Sequence, residues 1–197
     1  MARYEPLKTI TLASGNVYLR SRQLPELVHL NDPAFVVMTD FSQTPPHVVH
    51  PDKPIDDALN EMKIHGVHLL LVQDDNKHII GVVGSEEILG ELPIKISQEK
   101  RIKRSQMLVK MVMTPLDQIC AFDMHTLEYA KVGNIIITLK SLRTHYALII
   151  NNENDSRQVL RGIFTTSQIS RQLHMDISDA IAKAQSISEL QKRQSKI

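Results

Sequence analysis

Two nine-residue phrases constrain this chain more than any other feature. GVVGSEEIL at residues 81–89 and GIFTTSQIS at residues 162–170 share one pattern, 81 positions apart (162 − 81). Each runs glycine, two apolar residues, a small or hydroxyl pair, two polar residues and an isoleucine. Their surroundings repeat as well. VVMTD at 36–40 returns as MVMTP at 111–115, with the threonines 75 apart (114 − 39). HLLLVQDD at 68–75 returns as HYALIINN at 145–152, an offset of 77 (145 − 68). Offsets that grow in one direction mark a duplicated unit whose second copy has gained residues, here expected in its helix and in a turn.

The first copy reads as strand, helix, strand, strand, helix. PHVV is a short strand closed by His50 and Pro51. Ile55, Ala58, Leu59 and Met62 form the stripe of an amphipathic helix. Pro54 suits its first turn, Asp56 and Asp57 complement its positive end, and Gly66 closes the other end. HLLLV and HIIGVV are strands joined by the tight turn QDDNK. Ser85 is the expected cap of a helix opening with Glu86 and Glu87. The second copy repeats the order: DQICAF as strand, then TLEYAKVGNIIITLKSLR as a longer helix with Val132, Ile135, Ile136 and Leu139 on one face. Gly133 weakens the middle of that helix. YALII and QVLRGIF are strands around the polar turn NNENDSR, and Thr165 or Thr166 caps the last helix.

The expected organisation is therefore an N-terminal arm (1–30), a first repeat (31–93), a basic linker (94–108), a second repeat (109–173) and a C-terminal helical tail (174–197). Alternation over 7–20 predicts a hairpin turning at Gly15-Asn16. Such a hairpin is marginal alone and should dock on the repeats or on a second copy. The tail places Ile177, Ile181, Ala184 and Ile187 on one helical face, an apolar stripe that predicts a homodimer or a fold-back.

Composition excludes more than it assigns. An apolar fraction of 42% and a charged fraction of 23% are those of an ordinary globular chain. A net charge of +1 supplies no field toward nucleic acid or an anionic membrane. No apolar run reaches a membrane span, and MARYEPLKTI contains no signal-peptide core. One cysteine, Cys120, precludes an internal disulfide and fits a cytoplasmic location. Within a strand, it reads as a small hydrophobe rather than a nucleophile.

No P-loop, GxSxG or HExxH motif is present, and paired acids such as Asp56/Asp57 and Asp74/Asp75 fall at a helix start and a turn. A non-catalytic chain is expected. His47/His50 and His65/His68 invite a metal reading, but the first pair, three apart on a strand, faces opposite ways and the second straddles a helix end and a strand start, so separate surface or edge histidines are expected instead. The linker's Lys95, Lys100, Arg101, Lys103, Arg104 and Lys110 lack interleaved aromatics, which makes it a solvated connector, not a nucleic-acid surface. Arg101 or Arg104 is its best candidate for a ligand phosphate.

Two strand-helix-strand-strand-helix units, each opening near VMT and closing on the doubled phrase, resemble a tandem pair of CBS domains, the Bateman module. The resemblance spans roughly residues 31–173. It implies an α/β (α+β) fold of two pseudo-symmetric β-α-β-β-α units packed through their sheets, with two clefts between them. It implies a regulatory sensor that requires no cofactor, binds an adenosine compound (AMP, ADP, ATP or S-adenosylmethionine) and reports to an effector protein. A ligand-free interaction scaffold is the alternative.

In the family the fourth phrase position is usually Ser or Thr and the seventh usually Asp. The first copy has Gly84 and Glu87, with Ser85 adjacent; the second has Thr165 and Gln168. The expected ligand contacts are Ile163, Thr165 and Gln168, with His47 and Val48 of the opposite half against the base. Ser85 and Glu87 would serve the other cleft, where Glu87 suits a ribose diol or a cationic ligand.

Overall fold

A computed structural model describes residues 25–153 and 157–177. Eight strands and six α-helices occur among these residues, in the order β1 (Thr39–Asp40), β2 (Val48–Val49), α1 (Ile55–His65), β3 (Leu69–Gln73), β4 (Ile79–Gly84), α2 (Ser85–Leu89), α3 (Leu92–Lys100), α4 (Val109–Val112), β5 (Thr114–Pro115), β6 (Ala121–Asp123), α5 (Val132–Leu142), β7 (Tyr146–Glu153), β8 (Arg157–Thr165) and α6 (Thr166–Leu173). The strands form two sheets, β2-β3-β4-β5 and β6-β7-β8-β1.

Strands β3, β4, β7 and β8 are apolar on both faces because both are covered. Leu70, Val72 and Val83 turn toward α1 and α2, packing with Ile55, Ala58, Met62 and Ile88. Ala147, Ile149 and Phe164 turn toward α5 and α6, packing with Val132, Ile135, Leu139 and Ile169. The alternate residues Leu71, Val82, Tyr146, Leu148 and Ile163 meet in a third cluster that joins the two sheets. The layers run helix, sheet, sheet, helix, as the resemblance implied.

The membership of the sheets corrects one reading. VMT at 37–39 does not complete the first unit: Thr39 and Asp40 pair antiparallel with Ile163 and Gly162 of β8. Thr114 and Pro115 pair likewise with Val82 and Gly81 of β4. Each opening motif closes the sheet of the other repeat. This accounts for the doubled glycine. A Cβ on Gly81 would lie 2.6 Å from the Thr114 carbonyl oxygen, and one on Gly162 would lie 2.5 Å from that of Thr39. The glycines admit a crossing strand rather than a ligand.

Other local expectations are also revised. Helix α5 has 11 residues, as many as α1, because residues 124–128 form a 3₁₀ segment ahead of it. Gly133 therefore sits in the first turn. The extra residues of the second copy lie before α5 and in the β7–β8 hairpin, whose strands extend through most of NNENDSR. Cys120 lies just ahead of β6 and is half-buried. The linker is folded: α3 buries Pro93 and Ile96, and Met107 is 1% exposed. Arg104 Nε donates to Asp56 Oδ1 at 3.0 Å and its Nη1 donates to the Ile88 carbonyl at 3.1 Å.

Ser85 is the first residue of α2 and not its cap, whereas Thr165 Oγ1 caps α6 by accepting the Gln168 N–H at 3.3 Å. Gly66 ends α1 with φ +65°. The predicted hairpin and all of the tail stripe except Ile177 lie outside the described residues; Ile177 packs against the second core. Among the described residues, no helix is long and apolar enough to cross a membrane.

Candidate functional site

Among the described residues, two cavities lie between the halves. The larger, about 500 Å³, is lined from the first repeat by His68, Gly84, Ser85, Glu86 and Glu87, and from the second by Arg143, Thr144, His145 and Tyr146, with Thr114 between them. The smaller, about 300 Å³, is its pseudo-symmetric counterpart: Thr39 and Phe41, the Pro45-Pro46-His47 stretch, Ile163, Thr165, Gln168 and Arg171. His68, Leu69, Thr165 and Ser167 line both.

The two clefts differ in charge. No carboxylate lines the smaller one, while Arg171 and two histidines do. Phe41, Val67, Leu69, Leu71 and Ile163 give it apolar wall, and Thr39, Thr44, Thr165, Ser167 and Gln168 give it neutral polar groups. The His47 ring stacks on His65 with centroids 4.2 Å apart, at the edge of this cleft. The Arg171 guanidinium donates to Gln168 Oε1.

In the larger cleft both acids are already engaged. Glu86 Oε2 lies 3.3 Å from His145 Nε2. Glu87 Oε2 accepts the Gly84 N–H at 3.0 Å, and its Oε1 accepts the Tyr146 hydroxyl at 3.4 Å. Burial pushes the Glu87 carboxyl above the ordinary glutamate range, only partly offset by the backbone N–H groups it accepts. Burial, reinforced by the Glu87 charge, holds the Tyr146 phenol up at about 12. Glu87 therefore serves as the cap of its own helix and as a contact between the repeats.

Of the residues singled out in the sequence, Ile163, Thr165, Gln168 and His47 come together at the smaller cleft, and Ser85 and Glu87 at the larger. Val48 lines neither: it pairs with Leu71 on β3 and is 42% exposed. Arg101 and Arg104 line neither. Sequence reasoning missed Thr39 and Thr114, although the VMT repeat marks both, and also Arg171, one helical turn beyond Gln168. Among the described residues, no three His, Cys, Asp or Glu side chains are grouped to hold a metal ion.

Residues 37–94 match the CBS domain family. Over 46 residues the chain is 46% identical to a UPF0053 protein homologue of Mycoplasma pneumoniae, a match spanning 23% of this chain and 11% of that relative. The fold is similar to that of an uncharacterized conserved protein from Pyrococcus horikoshii, with a TM-score of 0.52 and 20% identity over 72% of this chain and 92% of that one. It is equally similar to a conserved CBS domain protein of unknown function from Thermoplasma acidophilum, with a TM-score of 0.52 and 17% identity over 76% and 77% of the two chains.

Proposed function

The chain is a CBS-domain protein with the fold of a paired module, and from that premise we propose that it is a regulatory sensor whose smaller cleft binds an adenosine-containing nucleotide. The observation that carries this reading is the lining of that cleft. Apolar walls suit a purine, the Thr39, Thr165 and Gln168 side chains suit a sugar, and Arg171 with no carboxylate alongside suits a phosphate. The larger cleft, with Glu86 and Glu87 in its wall, disfavours a polyphosphate and is the poorer nucleotide site. A bound ligand would contact both repeats at once and so favour one arrangement of the halves over others. The output passes to an effector protein or a second copy; exposed Ile137 and Leu142 on α5 are apolar surface for such a contact.

Titration calorimetry with AMP, ADP, ATP and S-adenosylmethionine tests the reading. A nucleotide should bind the wild type, Thr165→Val should weaken it by about tenfold, and Thr165→Ser should restore it. The Ser control is needed because Thr165 also caps α6, and losing a cap costs about 1 kcal/mol of stability. No binding by any of the four, with dimer and tail surfaces still engaging a partner, would establish the scaffold alternative instead.

A further inference from the structure

Among the described residues Gln172 is one of only two buried polar side chains, at 2% exposure. It lies on α6 one turn beyond Gln168, behind the wall of the smaller cleft. Its Nε2 donates to the Pro25 carbonyl at 2.6 Å and to the Val36 carbonyl at 3.1 Å. Its Oε1 accepts the Gln168 Nε2 at 2.8 Å.

A primary amide has two N–H donors and one carbonyl oxygen. Here both donors face main-chain carbonyls, which only accept. Turning the amide over would set its oxygen against two others, so the backbone decides which way Gln172 lies. Its Oε1 must then face Gln168, and Gln168 must answer with an N–H. That leaves the Gln168 Oε1 on the far side, where it accepts a hydrogen bond from the Arg171 guanidinium.

We propose that Gln172 is a positioning residue that fixes the orientation of the Gln168 amide in the smaller cleft: by engaging one Gln168 N–H it turns the Gln168 Oε1 to the Arg171 side, where the oxygen can also accept from a ligand hydroxyl. The inference rests on the nucleotide reading of that cleft. It explains how a neutral amide can stand where a carboxylate would accept from a sugar diol, without placing a negative charge beside the phosphates. It also ties the cleft to the stretch from Pro25 to Val28. The Val28 N–H donates to the Gln172 carbonyl at 2.9 Å, so one residue holds that segment by its side chain and its backbone together.

The test compares AMP with 2′,3′-dideoxy-AMP by calorimetry on the wild type and on Gln172→Met, which keeps the length and loses the amide. The wild type should prefer AMP by about three- to tenfold, the worth of one such bond. Gln172→Met should lower AMP binding to the dideoxy level while leaving dideoxy-AMP unchanged. A purely structural role would weaken both nucleotides equally, and that result overturns the proposal, as does an intact AMP preference. If Gln172→Met does not fold, Gln168→Leu reads the same acceptor from a half-buried site and must also abolish the preference. Wild type that binds neither nucleotide defeats the cleft assignment, and the proposal with it. Wild type that binds both equally defeats the proposal alone.

Discussion

Glu87 folds back onto its own turn because Gly84 has no side chain. A Cβ at residue 84 would lie 2.6 Å from Glu87 Oε2, the oxygen that accepts the Gly84 N–H at 3.0 Å. The two departures of the first repeat from its family's pattern are one device: the missing hydroxyl leaves the space that the longer acid fills. In the second repeat, Thr165 occupies the equivalent position and caps with its own hydroxyl. Gly84→Thr should therefore be tolerated, within about 1 kcal/mol, since a new hydroxyl cap replaces the one the flexible carboxylate gives up. Chemical denaturation measures this, and a loss above about 3 kcal/mol would contradict it.

The other two glycines of the doubled phrase face backbone, which cannot swing away. Gly81→Ala and Gly162→Ala should each cost about 2 kcal/mol or more, because β5 or β1 has to shift off its neighbour. Urea unfolding midpoints will rank the three glycines, and equal tolerance at all three would refute the crossing-strand explanation.

Glu87 also predicts a pH dependence. Burial, its largest influence, raises its carboxyl above the ordinary 4.5, so the folded state holds this proton more tightly than the unfolded chain does. The associated stability is fully present below 4.5 and is lost as pH rises through the higher folded value. Glu87→Gln keeps an acceptor for the Gly84 N–H and has nothing to ionise. It should melt above the wild type near neutral pH and lose that advantage in acid. Thermal melts across that range decide, and a constant difference at every pH would count against the buried-acid account.

Asp40 has the opposite sign. Burial pushes its carboxyl up, but hydrogen bonds from Arg161 and Ser42 outweigh burial and hold it below the ordinary 3.8. The Arg161 Nε and Nη2 reach the two carboxylate oxygens at 2.9 Å each, fastening β1 to β8. This stability is present above 3.8 and fades as pH falls through the folded value. Asp40→Asn should cost about 1 kcal/mol at neutral pH, a modest figure because Arg161 stays partly in water, and progressively less in strong acid. A difference that grows on acidification would be incompatible with this pairing.

The repeat, the two amphipathic helices and the strand pattern were legible in the sequence because each is a local periodicity that burial later enforces. Four of the seven candidate contacts met at one cleft: Ile163, Thr165 and Gln168 sit at the β8–α6 turn, whose geometry is local, while His47 reaches the cleft from the other repeat. The exchange of opening strands was not legible. A two-residue strand such as Thr39–Asp40 carries no periodicity to say which sheet it joins. The α3 helix was hidden by composition, since six basic residues in and beside the linker outweighed its two buried apolar positions, Pro93 and Ile96. Val48 was expected in the cleft together with His47 from the family's architecture, and it lies on β2 instead, 42% exposed.

The pairing of Asp40 with Gly162 joins positions 122 residues apart (162 − 40). During synthesis, β1 emerges long before β8, its only strand partner among the described residues. The first sheet can close once β5 is made, but the second has to wait until nearly all of the described chain has been produced. Contacts this distant in sequence form late and slowly. Until then Met38 and its neighbours remain bare, making the interval before β8 arrives the window in which a chaperone or a wrong strand would find this protein.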